Sequence, residues 1–215
     1  MKCYQELTII KSPNISPNFI WSRLYLQLHL ALVEIQEKSA VYTIGVSFPD
    51  YRYLEKDGKT EMTLGHKLRI FARSREELKL LNLNHWLSRL MDYILIQDIA
   101  DIPTEITQYL VVKRLRKKAN NDNLTRNYAR KHQMSFAEAK EKRIERFSDL
   151  HKVTREESLQ HYDNPIVKRR PFIVMQSLGN KQTYSLEIEQ IPVSNAQEGV
   201  FSTYGLSSQT TVPNW

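Results

Sequence analysis

The chain has 215 residues, 41% hydrophobic and 26% charged, which is enough apolar material for one sizeable globular core. A single cysteine, Cys3, excludes an intramolecular disulfide and a CxxC metal site, and no window approaches the roughly 18 to 20 continuous apolar residues of a membrane span. With no basic-then-apolar export pattern at the start, the expectation is a cytoplasmic protein without membrane attachment.

Residues 4–10 (YQELTII) read as a strand. A strong helix start follows: Ser16 as N-cap, Pro17 at the first helical position, and Ile15 and Ile20 at the spacing of a hydrophobic staple. The helix is predicted to run to about Lys38, with Trp21, Leu24, Leu28, Ala31, Leu32 and Ile35 as its buried stripe. Residues 41–48 (VYTIGVSF) read as a second strand ending at Pro49-Asp50, and a polar loop containing Asp57-Gly58 follows. Residues 66–72 alternate as a third strand, Ser74 opens a helical stretch through about Met91, and residues 93–99 supply a fourth strand. The order βαββαβ predicts an α+β protein with an N-terminal ferredoxin-like domain over residues 1–102.

Pro103 breaks the pattern, and residues 103–215 read as a second, basic region. Residues 109–115 are extended, 122–132 and 135–147 are helical, and Ser135 with Glu138 forms a capping box. Residues 148–170 are polar and read as irregular. Two strands, at 171–176 and 182–191, flank a turn at Gly179-Asn180, and a short aromatic segment at 201–206 precedes the tail.

The net charge is +7, from 31 Lys and Arg against 24 Asp and Glu, and it is concentrated. Residues 113–147 hold 12 basic side chains against four acids, leaving 19 basic and 20 acidic residues elsewhere. That is the footprint of a protein that binds a phosphate backbone, although a solvated helical face would carry a similar run. Arg126 and Arg130 are four apart and share a helical face, with Asn123 and Asn127 on an adjoining row and Lys131 beside them. Arg114 and Arg116 lie two apart in an extended segment and point to one side, in a residue type suited to bidentate reading of guanine.

Six histidines are present, none paired at metal-ligand spacing, so neither a metal nor a cofactor is expected. His29 lies one residue off the apolar stripe of the first helix, where a side chain can face a cleft; by position alone a structural boundary histidine is the commoner case. Ser177 and Tyr204 are unremarkable taken singly.

Four segments together resemble the CRISPR RNA-processing endoribonuclease of subtype I-F systems: LQLHLALV at 26–33, IGVSFPD at 44–50, the Arg-rich run with KRLRKK and TRNYARKH, and FSTYGLS at 201–207 with VP at 212–213. The resemblance spans essentially the whole chain. It implies metal-independent cleavage of a CRISPR repeat hairpin by attack of a ribose 2′-hydroxyl, leaving a 2′,3′-cyclic phosphate. It further implies that His29 performs the acid-base chemistry, Ser177 in PFIVMQS holds the 2′-hydroxyl, Tyr204 orients the histidine, and Tyr184 stacks on the closing base pair. Arg114 and Arg116 would read bases beside the stem and Arg126, Arg130 and Lys131 would clamp the backbone, with Asn123 and Asn127, on the adjoining row of the same helix, expected to bind RNA beside them. The product would stay bound, making the protein a subunit of a guide-RNA surveillance complex with further protein subunits. Where the family pattern has glutamine in the linker this chain has Arg116, and Asn127 and Lys131 replace helix arginines. The residues alone leave open a hairpin-RNA-binding subunit without cleavage activity, in which His29 is structural.

Overall fold

The computed structural model describes residues 1–56, 59–115, 121–163 and 170–215. The chain divides into two compact units, one formed by residues 1–115 and 170–215 and the other by residues 116–169. Among the described residues, no helix is long and apolar enough to cross a membrane.

In the larger unit, β1 (Cys3–Ile9) leads into α1 (Pro17–Ser39), whose start is as the sequence predicts: Ser16 is extended and its hydroxyl accepts from the Phe19 amide at 3.3 Å. The whole predicted stripe of α1 is buried, together with Ile20 and Tyr25. The helix ends at Ala40, which takes a left-handed conformation. Of the strand expected over residues 41–48, only β2 (Gly45–Ser47) forms. The preceding residues turn aside, and the Tyr42 carbonyl accepts from the Phe201 amide instead of a neighbouring strand.

The polar loop expected around Asp57-Gly58 is in fact bounded by a hairpin, β3 (Arg52–Lys56) against β4 (Lys59–Thr63). Asp57 and Gly58 themselves lie outside the described residues. Neither strand has a buried face, so no alternation betrays the pair in the sequence. After β5 (Lys67–Ala72), the expected helix over residues 74–91 is broken into α2 (Arg75–Leu81), α3 (Leu83–Trp86) and a 3-10 turn. Asn82, between α2 and α3, is left-handed (φ 46°), a conformation Asn tolerates better than most residues and one that ends a helix. The fourth strand is shorter than expected: β6 (Ile94–Ile96) and β7 (Ala100–Asp101) both pair with β1.

Strands β2, β5, β1 and β6 lie in that order, antiparallel throughout. A second antiparallel sheet has the order β11-β8-β10-β9, with β8 (Gln108–Leu115), β9 (Phe172–Gln176), β10 (Thr183–Val193) and β11 (Thr211–Asn214). The two sheets share one core, and α1 packs against β9. The unit therefore continues past the boundary read at residues 102 and 103, because Leu110, Val112, Ile173, Leu186, Ile188 and Val212 bury their side chains in the same cluster as β1 and α1. Gly45 marks the close approach: a Cβ there would stand 2.6 Å from the Phe201 ring and 2.8 Å from Val212 Cγ1.

The smaller unit contains α4 (Asn121–His132), α5 (Phe136–His151) and α6 (Arg155–Asp163). Helices at 122–132 and 135–147 were expected; α6 falls where the sequence reads as irregular, and α5 runs further than predicted. The start of α6 is marked by Thr154 and Glu157, which bond reciprocally as a capping box does, the Glu157 carboxylate accepting from the Thr154 amide at 2.8 Å and the Thr154 hydroxyl from the Glu157 amide at 3.3 Å. Arg143 ties the helices together: it donates to the Asn121 carbonyl and to Thr125 Oγ1, each at 2.8 Å, and its guanidinium lies 5.2 Å from the Tyr162 ring centre.

The capping box predicted at Ser135 is present, with the Ser135 hydroxyl accepting from the Glu138 amide at 3.2 Å and the Glu138 carboxylate from the Ser135 amide at 2.9 Å. Ser135→Ala is expected to cost about 1 kcal/mol. A shift of the urea midpoint at constant slope would register it, and no shift would mean the box contributes nothing.

Candidate active site

Helix α1 presents a row of polar groups to the segment around residues 201–204. Tyr25, His29 and Gln36 are spaced by four and seven residues and so share one face. Each engages a backbone carbonyl: the Tyr25 hydroxyl donates to Tyr204 at 2.8 Å, His29 Nδ1 lies 2.8 Å from the Thr203 oxygen, and Gln36 Nε2 donates to Phe201 at 3.4 Å. Tyr25 is fully buried, and burial pushes its phenol well above the ordinary range, so it stays a neutral donor.

A carbonyl oxygen can only accept, so the contact to Thr203 places the proton on Nδ1 of His29. In the neutral imidazole Nε2 is then the basic nitrogen. The ring is also held from one side, stacked on Tyr204 with centroids 4.2 Å apart and planes 5° from parallel. His29 itself is only partly buried.

Tyr204 is placed by its own short loop. Ser202 bonds across the turn to Leu206 through both its amide and its hydroxyl, each at 2.9 Å, while Phe201 and Leu206 anchor the two ends in the core. Gly205 has φ +67°, and its carbonyl accepts from the Val46 amide of β2 at 3.0 Å.

Two further side chains converge from the second sheet. Tyr184 on β10 places its hydroxyl 2.8 Å from that of Tyr204. Burial, and secondarily this hydrogen bond, push the Tyr184 phenol up to about 12. Arg114 on β8 sets its guanidinium carbon 5.4 Å from the Tyr184 ring centre and 5.7 Å from that of Tyr204. His29, Tyr204, Tyr184 and Arg114 thus form one contiguous cluster.

Ser177 does not join it by hydrogen bonding. It follows β9 in the turn to β10, where its amide donates to Gln182 at 2.9 Å and its hydroxyl accepts from the Asn180 amide at 3.5 Å. Arg116 lies outside the described residues. Asn123, Arg126, Asn127, Arg130 and Lys131 belong to the smaller unit, where all five are exposed on α4. Arg126 donates to Asn123 Oδ1 at 3.3 Å and lies over the Phe136 ring at 5.9 Å. Among the described residues, no group of three or more His, Cys, Asp and Glu side chains is placed to hold a metal ion.

Tyr25 and Gln36 were not singled out in the sequence, although their spacing from His29 was legible. The role of the Thr203 carbonyl had no signal, since every residue carries one.

A protein from Pseudomonas aeruginosa (strain UCBPP-PA14), named CRISPR-associated endonuclease Cas6/Csy4, is 32% identical over 217 residues, covering 99% of each chain. A protein of the same name from Escherichia coli (strain UTI89 / UPEC) is 29% identical, again over 99% of each chain. A solved structure described as an RAMP protein binding different RNA substrates aligns over 99% of both chains at 13% identity and a TM-score of 0.34, too slight a likeness to define a common fold. The model of the CRISPR-associated protein family Cas_Csy4 matches residues 4–215, essentially the whole chain, and the chain belongs to that family.

Proposed function

We propose that the protein is an endoribonuclease that cuts CRISPR repeat RNA at the base of a hairpin without a metal ion. The observation that carries this is the state of His29: Nδ1 is committed to the Thr203 carbonyl, and the ring is stacked on Tyr204. Its Nε2 is thereby aimed and left to move a proton. Two relatives of full length are named endonucleases, which supports the reading.

The reaction asks little more of a protein. RNA carries its own nucleophile, so cleavage needs the 2′-hydroxyl aligned with the adjacent phosphorus, a group to move protons, and stabilisation of the phosphoryl charge. The 2′-oxygen forms a bond to phosphorus as its proton leaves, the bond from phosphorus to the 5′-oxygen breaks, and that oxygen takes up a proton. The products are a 2′,3′-cyclic phosphate and a 5′-hydroxyl. In this reading His29 moves the proton, Ser177 holds the 2′-hydroxyl, Tyr204 orients His29, and the ring of Tyr184 stacks on the closing base pair. Arg114 and Arg116 read base edges beside the stem. Asn123, Arg126, Asn127, Arg130 and Lys131 clamp phosphates along α4, whose exposed polar row suits a backbone.

Retention of the cut hairpin would make the enzyme single-turnover and a subunit of the guide-RNA complex, in the cytoplasm, without a cofactor. The ferredoxin-like reading of residues 1–102 belongs to the same proposal, and the order β2-β5-β1-β6 supports it. The test incubates the protein with a labelled repeat hairpin in EDTA and analyses the ends. Cleavage to a cyclic phosphate is expected. A bound but uncut hairpin would instead assign the protein to RNA binding alone.

A further inference from the structure

Stacking on a base pair would use only the ring of Tyr184, not its hydroxyl. That hydroxyl is nevertheless committed, 2.8 Å from the hydroxyl of Tyr204. Tyr204 is otherwise held near its backbone by Tyr25 on its carbonyl, and on one face by the His29 ring. Neither contact fixes the far end of the phenol, where a small rotation about the side-chain torsions produces the largest displacement. The contact from Tyr184 does. The guanidinium of Arg114, lying over both rings, braces the same pair.

We infer that Tyr184 is a positioning residue for the cleavage step: its hydroxyl locks Tyr204 flat against His29 and so fixes where Nε2 points. The chain of contacts runs from β10 through Tyr204 to α1, and the imidazole gains its orientation from two restraints, the Thr203 carbonyl and the braced phenol. With the outer restraint lost, Tyr204 can rock, and the His29 ring can turn about its remaining hydrogen bond. The productive geometry is then populated for a smaller fraction of the time. This inference rests on the catalytic reading of His29.

Tyr184→Phe separates the two roles, because it keeps the ring that would stack on RNA and removes only the hydroxyl. The loss of one such hydrogen bond predicts cleavage of the bound hairpin slowed by about 3- to 10-fold, with Kd for the RNA unchanged. The measurement is single-turnover cleavage at saturating protein together with a binding titration, for Tyr184→Phe, Tyr204→Phe and the double variant. Both single changes break the same bond, so the double variant should be no slower than the slower single one. A Tyr184→Phe protein that cuts at the wild-type rate while His29→Ala is inactive would overturn the inference and leave the enzyme reading standing. Weakened binding with an unchanged saturated rate would also overturn it, making Tyr184 an RNA contact only. A His29→Ala protein that cuts normally would remove the reading beneath it and the inference together.

Discussion

Replacing His29 with alanine is expected to slow cleavage of the repeat hairpin by about 10²- to 10⁴-fold, the usual contribution of a positioned acid-base group, with little change in Kd. In the proposed function His29 moves a proton while other side chains hold the RNA, so rate and binding separate. His29 sits in α1 of the larger unit, whereas the exposed Arg126, Arg130 and Lys131 are carried by α4 of the smaller one. His29 is also outside the buried stripe, so its truncation opens no large cavity. The Thr203 carbonyl loses its partner at a partly exposed site, where water can replace it. Single-turnover cleavage and a gel-shift titration on one preparation decide the matter. Loss of both activities together would mean that His29 is a structural residue, and undiminished cleavage would place the chemistry elsewhere.

What could be read in the sequence depended on whether the signal was local. Helix α1 was legible to within a residue at its start, because Ser16, Pro17 and the apolar stripe all act within a few positions of themselves. The β3-β4 hairpin was not, since its strands are exposed on both faces and leave no periodic trace; Asp57-Gly58 was the only sign. Helix α6 falls in a segment that reads as irregular, although Thr154 and Glu157 carry the same spacing that identifies Ser135 and Glu138. The helix is only weakly amphipathic, so no apolar stripe accompanies the cap. The site divided in the same way. His29 is marked by its place beside the apolar stripe of α1, whereas its role and Tyr204 are legible only through the resemblance of their segments. Their contact, made across 175 positions, depends on how a loop after β10 is pinned to α1, and no local pattern encodes it. Arg143 shows the limit of counting charge: it is one of twelve basic residues in the run, yet its guanidinium is engaged in the packing of the smaller unit.

The loop that carries Tyr204 turns on one glycine, and Gly205→Ala is expected to destabilise the larger unit by about 2 to 4 kcal/mol. Two costs combine. At φ +67° an L side chain is strained, and the added Cβ would stand 2.7 Å from Val46 Cγ1 of β2, in a strand with no exposed residue. Val46 cannot retreat easily, because its amide bonds the carbonyl of Gly205 itself and its side chain is completely buried. The strain also reaches the loop carbonyls that hold Tyr25 and His29. Gly205 follows the residues whose carbonyls receive Tyr25 and His29, so a loop that shifts to relieve the clash displaces the acceptor that sets the tautomer and angle of the imidazole. Cleavage should therefore fall even at temperatures where the variant remains folded. Gly179, whose added Cβ meets nothing within 4 Å, supplies the control: Gly179→Ala should change neither stability nor rate. Urea unfolding of the two variants, paired with single-turnover cleavage, distinguishes a general loss of stability from a displaced carbonyl. A Gly205→Ala protein as stable and as fast as Gly179→Ala would mean that β2 yields to the new methyl group and that the loop is not held to its conformation by this residue.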